Sequence, residues 1–367
     1  MSELLRERAL VLMRAPGSFA LAALPTLLAV CSALAMFSLF LLAQDVSPLE
    51  ALRLMFKGAF GSSFAWANSL QRAAPLMLTA LCVALPARAG LVVIGGEGAL
   101  ALGGLAAGSV AVMAPSLAVK AAVPLMVLMG ALIGGLWIAF AGMLRQWRGV
   151  NETIGSLLLS YLGIALFNHL VEGALRDPAS LNKPSTLPLP ESWMVGAMPG
   201  LEVHWGFAFG AAACVLAWIF LRWSVPGFAL NVVGGNVNVA RLVGLPVDRL
   251  VIGACFAGGA AAGIAGAFEV AAVQGSANAS LLSGYGYAGI LVAFAARQNP
   301  LAVIVCAVLV GGIGASGSLL QRRLGLPDAA TLVLQGLIFA NLLAWEALQG
   351  RLANWQLRLS SLGARDV

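Results

Sequence analysis

The sequence predicts an all-α, polytopic membrane protein. It reads as about ten transmembrane helices, some broken or re-entrant, with the N- and C-termini both cytoplasmic. Three observations carry this. First, 60% of the 367 residues are hydrophobic, 10% are charged and mean hydropathy is +0.94, whereas a soluble domain carries about 25% charged residues. Second, apolar runs near the roughly 20 residues a bilayer demands recur along the chain, separated by short stretches of Arg, Gly and Pro. Third, with ten spans and both ends inside, thirteen of the 21 Lys/Arg fall on the inner side, the sign expected for cytoplasmic loops. Arg322 and Arg323 fall outside and run against that bias.

The elements follow in order. Met1–Arg14 is short and charged, and Phe19–Leu42 is apolar. A cleavable signal has an apolar core of only about 7–15 residues, so Phe19–Leu42 reads as a retained first span. Gln44–Trp66 places Leu49, Leu52, Met55 and Phe56 at helical spacing. It reads as an amphipathic helix on the outer surface, with an ordinary loop as the alternative. The second span, Arg72–Pro86, is short, and Arg88 marks its inner end. Leu91–Met113 is dense in glycine, and Gly104-x-x-x-Gly108 permits close helix approach. The same glycines predict that Ile94–Gly98 is broken or re-entrant. Glu97 lies inside this run. A carboxylate at bilayer depth costs roughly 2.5–3.5 kcal/mol, so it must face a partner or a water-filled cavity.

Val119–Met143 is the fourth span, followed by the basic Arg145-Gln146-Trp147-Arg148. Asn151 fits an N-cap and Glu152 a first helical turn for the fifth span, Thr153–Val171. Ser160 on that span is a candidate lining residue, and His169 reads as interfacial. Glu172–Val203 is the longest polar interruption, and its prolines Pro178, Pro184, Pro188, Pro190 and Pro199 forbid a long helix. By span count it is outside, as a platform for a partner or as a lid. The sixth span is His204–Leu221.

Leu221–Arg249 reads as a surface loop. A short helix is predicted within it, capped by Asn236 or Asn238, closed by a left-handed Gly244 and stopped by Pro246. The seventh span, Leu250–Val273, is so rich in Gly and Ala that it reads as a close-packed interior helix, with Glu269 near its outer end. Gln274–Gly284 is outside, and Tyr285–Ala296 is too short to span comfortably. Short, glycine-interrupted segments point to transporter binding sites. Gly95–Gly98 and Ser283–Gly289 form such a pair, one in each half of the chain, with Tyr285 and Tyr287 in the second. Leu301–Ser316 and Thr331–Leu348 are the last spans, and Arg351, Arg358 and Arg365 end the chain inside.

Several classes are excluded. Cys31, Cys82, Cys214, Cys255 and Cys306 lie scattered in apolar runs without a CxxC, so they read as small buried hydrophobes and not as a disulfide or metal framework. The two histidines, His169 and His204, are far apart, and no catalytic set and no phosphate-loop motif appear. The net charge of +6 fits basic cytoplasmic loops and does not indicate nucleic acid.

Gly234-x-Asn236-x-x-x-Ala240-Arg241-x-x-Gly244-Leu245 resembles the coupling-helix loop of ABC importer permeases in the branched-chain amino acid, ribose and nucleoside group. Ala87–Gly98, Arg148–Ile154, Leu175–Pro178 and Gly284–Ile290 with Arg297–Pro300 resemble further landmarks of that group in the same order. The nearest branch is the permeases of nucleoside and simple-sugar transporters. The resemblance implies one transmembrane permease domain over 1–367, with a cytoplasmic coupling loop at 222–249 and a periplasmic loop at 172–203. It implies a path for a small polar solute, a nucleoside first, then a simple sugar, then a branched-chain amino acid, opened by alternating access. Gly235, Asn236, Ala240, Arg241, Gly244 and Leu245 would meet the ATPase; Glu97, Ser160, Glu269, Tyr285 and Tyr287 would line the path. The chain itself would bind no cofactor, with ATP and Mg on partner subunits. The implied partners are ABC ATPase subunits, a second homologous permease in a heterodimer, a periplasmic or lipoprotein substrate-binding protein, and lipid. An ion-coupled secondary transporter, with Glu97 and Glu269 as carriers, is the alternative of another class.

Overall fold

In hydrocarbon, backbone N–H and C=O groups must be satisfied within the protein, which leaves the helix as the default for such a chain. The computed structural model describes residues 18–114 and 118–363, with side chains for 26–114 and 118–348. The N-terminal basic segment with Arg6, Arg8 and Arg14, the side chains of Arg351 and Arg358, and Arg365 lie outside the described residues. The helices are α1 (Ser18–Leu42), α2 (Pro48–Phe60), α3 (Ser63–Ala87), α4 (Gly96–Met113), α5 (Val119–Arg148), α6 (Glu152–Glu172) and α7 (Gly206–Trp223). They continue as α8 (Val225–Gly235), α9 (Val237–Leu242), α10 (Val247–Phe268), α11 (Tyr285–Ala295), α12 (Pro300–Leu324) and α13 (Ala330–Gly363). Among the described residues, 8 helices are long and apolar enough to cross a membrane, and shorter apolar helices cover Thr26–Leu42, Val225–Gly235 and Ala279–Ala295. The protein is an all-α, polytopic membrane protein.

The chain forms two compact units, Met1–Arg53 with Leu320–Val367, and Leu54–Leu319. In the first, α1 packs on α13. The Ser32 hydroxyl donates to Asn341 Oδ1 at 2.7 Å, and Trp345 Nε1 donates to Ser32 Oγ at 3.3 Å.

The second unit is built around α10, which packs against α3, α4 and α5. Its glycines make this possible. A Cβ on Gly263 would strike the Gly130 carbonyl, one on Gly259 the Gly134 carbonyl, and one on Gly266 the Leu100 carbonyl. Dispersion between closely approached backbones holds helices together where lipid supplies no hydrophobic drive. The interior helix expected at Leu250–Val273 is therefore present, continued by a π-helical turn at Glu269–Gln274.

Two sequence expectations need correction. The second span is not short: α3 begins at Ser63, whose preceding Ser62 accepts the Ala65 N–H. The amphipathic stretch Gln44–Trp66 is thus divided, with α2 ending at Phe60 and Phe64 and Trp66 belonging to α3. Arg72, expected to open the second span, sits inside α3 together with Gln71. The second correction is at Leu221–Arg249, where the apolar Val225–Gly235 folds as α8 instead of a loop. Ser224 caps it by accepting the Gly227 N–H at 3.0 Å, with Pro226 in the first turn, where a missing N–H costs nothing.

Candidate functional site

The first of the two predicted breaks lies between α3 and α4. The chain leaves α3 at Ala87, turns through Gly90 at φ 79° and runs extended to Gly95. Helix α4 then starts with no side-chain cap at Gly95. One orphan N–H of its first turn and one of the extended segment are met by α6. Ser160 Oγ accepts the Gly98 N–H at 3.0 Å, Ser156 Oγ accepts the Ile94 N–H at 2.9 Å, and Thr153 Oγ1 donates to the Val92 carbonyl at 3.0 Å. Asn151 caps α6 as expected, accepting from the Thr153 and Ile154 N–H groups, while Glu152 pairs with Arg145 at 3.3 Å.

The second break precedes α11. From Gly275 the chain passes through a 3-10 turn at Ala279–Leu281 to Gly284 at φ 79°, which opens α11. The structure brings the two breaks together. Glu97 Oε1 accepts the Gly284 N–H at 2.9 Å and Oε2 accepts the Gly286 N–H at 2.6 Å. At the other end of α11, Arg88 Nη2 donates to the Gln298 carbonyl at 3.0 Å. A carboxylate thus faces the positive end of this 11-residue helix and opposes its dipole, while the guanidinium holds the turn that follows the helix. Gly286 is glycine because a Cβ would overlap the Glu97 backbone nitrogen. Thr79 Oγ1 lies 3.0 Å from the Tyr285 carbonyl and locks α11 to α3.

Of the residues read as lining a path, Glu97 is 2% exposed and Ser160 0%, and both are committed to backbone N–H groups. Tyr287 is partly exposed beside Ser160 and Tyr161. Glu269 and Tyr285 are elsewhere: they line a cavity of about 310 Å³ with Asn68, Gln71, Arg72, Val273, Gln274, Ser280 and Ser283. Glu269 is 5% exposed, yet it makes neither a hydrogen bond nor an ion pair among the described residues, and Arg72 in the same wall comes no closer than 4.0 Å to it. The volume sits at the small end of ligand pockets, which start near 300 Å³. Sequence reading missed Asn68, Gln71 and Arg72. Their spacing of i, i+3 and i+4 on one face of an otherwise apolar helix was the available signal.

The long polar segment after α6 is tied to this cavity by backbone. The Thr186 N–H donates to the Ala277 carbonyl at 3.0 Å, Leu189 N–H to Gly275 at 2.7 Å and Val195 N–H to Ala271 at 2.8 Å. Lys183 Nζ donates to Ser280 Oγ at 2.6 Å, and Gln71 Nε2 to the Glu202 carbonyl at 2.7 Å. His204 ends the segment buried, its Nδ1 accepting the Gly206 N–H at 3.1 Å, and burial pushes its imidazole below the ordinary value.

Helix α9 has the form the sequence predicts. Asn236 Oδ1 accepts from the Asn238 and Val239 N–H groups at 2.9 and 3.2 Å, and Gly244 takes φ 79° just past the last turn. Ala240 is buried; Arg241 and Asp248 stand 4.0 Å apart, both more than half exposed. Sequence reading missed the apolar face. Leu242, the last residue of a six-residue helix that cannot cross a membrane, is 86% exposed, and Val243 just after it is 65% exposed. Gly235 has open space around it, and Leu245 is half-buried.

Known proteins resemble this chain in sequence. Residues 65–343 match the family described as branched-chain amino acid transport system / permease component. The chain belongs to that family. The permease is 33% identical to a glucose ABC transporter permease protein of Haloferax volcanii over 87% of this chain and 86% of that one. It is 29% identical to a guanosine ABC transporter permease protein of Bacillus subtilis, over 82% and 87% of the two chains. It is 23% identical to a nucleoside ABC transporter permease protein of Lactococcus lactis subsp. cremoris, over 74% and 77%. The permease is therefore a multi-pass inner-membrane subunit of an ABC transporter in a group that handles sugars and nucleosides.

Proposed function

We propose that this permease forms an import path for a nucleoside, and that the cavity bounded by Arg72, Glu269 and Tyr285 is where the solute is held. The observation that carries the reading is this cavity: amides, hydroxyls, one ring and two charges of opposite sign, in contrast to the apolar cavity lined by Phe56, Phe60, Trp66 and Ile304. Asn68, Gln71 and Gln274 offer paired donors and acceptors suited to a base edge, and the Tyr285 ring offers a face for stacking. A simple sugar is the second reading, favoured by the 33% identity to a permease named for glucose.

In this reading the loop at 172–203 is periplasmic and receives a substrate-binding protein, while 222–249 is cytoplasmic. Asn236–Leu245 sits in a groove of an ABC ATPase subunit, with Ala240 and Gly244 shaping α9, Arg241 at its rim and Leu242 and Val243 giving it apolar grip. ATP and Mg are held by the ATPase subunits and not by this chain. A second, homologous permease completes the path. Closure of the ATPase pair moves α9, and the half-helices joined at Glu97 pass the motion to the cavity. Glu97 is a strut in this scheme, which leaves Glu269 as the one carboxylate an ion-coupled transporter would have to use.

The test is to express the tagged chain from its own locus, identify what copurifies in mild detergent, and reconstitute that assembly in liposomes. ATP-dependent uptake of guanosine in preference to glucose and leucine, with a stoichiometric ATPase lost in R241A/L242D, supports the proposal. Uptake driven by an ion gradient without ATP, or a chain isolated with no ATPase, overturns it.

A further inference from the structure

We infer that Glu269 and Arg72 are the specificity-determining pair of the cavity, and that they select a neutral ligand by its vicinal hydroxyls. This rests on the proposed path through the same cavity. A buried carboxylate with no donor is costly, so the protein must gain from keeping it. Glu269 is 5% exposed, has no hydrogen-bond donor or ion partner among the described residues and lines the cavity wall. The contrast is with Glu97, whose two oxygens are both occupied by N–H groups. Arg72 shares the wall and acts on Glu269 electrostatically from beyond ion-pair distance, which leaves both groups able to meet a ligand.

The chemistry of that space is specific. The Glu269 carboxylate opposes an anionic solute, and Arg72, with the Lys183 ammonium bonded to Ser280 beside it, opposes a lone cation. A carboxylate accepts two hydroxyl protons side by side, and a guanidinium donates to the oxygens beside them. The remaining walls, Asn68, Gln71, Gln274, Ser280 and Ser283, carry further uncharged donors and acceptors. The ligand class that uses all of these is an unphosphorylated sugar or ribonucleoside, read at its diol. A site built to bond a hydroxyl rejects the analogue that lacks it, because its own buried groups are then left unpaired.

The test uses the complete transporter in proteoliposomes, with guanosine against 2′-deoxyguanosine and methyl ribofuranoside against methyl 2-deoxyribofuranoside as paired probes, and leucine as a zwitterion. The affinity of the substrate-binding protein for each probe is measured separately and divided out. The wild type should favour the diol member of whichever pair it transports by at least about tenfold. In E269Q that preference should fall below about twofold, whatever the change in overall rate. The same preference in E269Q and wild type overturns the inference and leaves the transport reading standing; transport of leucine alone overturns the transport reading. If E269Q does not assemble, S283C in the otherwise native chain carries the test. Guanosine or methyl ribofuranoside should slow its labelling by a thiol reagent, read on the Ser283 peptide, at concentrations where the 2-deoxy analogue does not. Equal protection by both overturns the inference.

Discussion

Glu97 and Glu269 are both buried carboxylates on apolar helices, 2% and 5% exposed, and they have opposite fates. Glu97 spends both oxygens on the N–H groups of Gly284 and Gly286 and joins two half-helices. Glu269 spends neither and looks into a polar cavity. Burial alone does not separate structural from functional charge; the count of satisfied partners does. The hydrogen-bonded carboxylate supports the fold, and the unsatisfied one is available to a ligand.

The comparison breaks first at its stability side. E97A leaves two buried N–H groups without an acceptor, and the expected cost is about 3 kcal/mol or more. It should appear as loss of the assembled protein in a detergent melting series. G286A should do the same by overlap with the Glu97 backbone. E269A should leave the melting midpoint equal to or above wild type, because no hydrogen bond is removed. Equal melting of E97A and E269A would erase the distinction. G284A is a smaller perturbation: open space surrounds the position, so the cost is only that of a φ of 79° for a residue with a Cβ, about 1 kcal/mol.

A third buried titratable group sharpens the comparison through pH. His204 has one nitrogen satisfied and Nε2 unpartnered among the described residues. Burial lowers its folded-state pKa below the ordinary 6.5. The unfolded chain therefore takes up the proton first as pH falls. The stability due to neutral His204 is complete above about pH 6.5 and is lost on going below it. Melting should drop between pH 7.5 and 5.5, and H204N, which keeps an acceptor for the Gly206 N–H, should show a shallower drop. An unchanged slope would remove His204 from the account. The smallest expected effect is R241A on stability. Its ion pair is long and exposed, so the change should stay below about 1 kcal/mol while ATPase copurification falls sharply.

Much of the fold was legible in sequence because its signals are local. Asn151 and Asn236 cap helices, Gly244 turns left-handed, and the glycines of Leu250–Val273 mark backbone-to-backbone packing. The glycine-interrupted pair at Gly95–Gly98 and Ser283–Gly289 was visible too, although nothing local says that the two meet. What remained hidden depends on tertiary context. Arg72 looked like the start of a span because the cavity that receives it is completed by α10 and the segment before α11. Val225–Gly235 looked like loop because its flanking arginines and glycines outweighed its 11 apolar-rich residues. The role of Glu97 was ambiguous because its partners are backbone amides 187 and 189 positions away.

The polar segment after α6 has a mechanical consequence. Thr186, Leu189 and Val195 bond through their main chain to residues 271–277, within eight positions of Glu269. Main-chain bonds cannot be released by rotating a side chain, so the segment works as a handle welded to one wall. A molecule that grips it and pulls would change the width of the cavity without entering it.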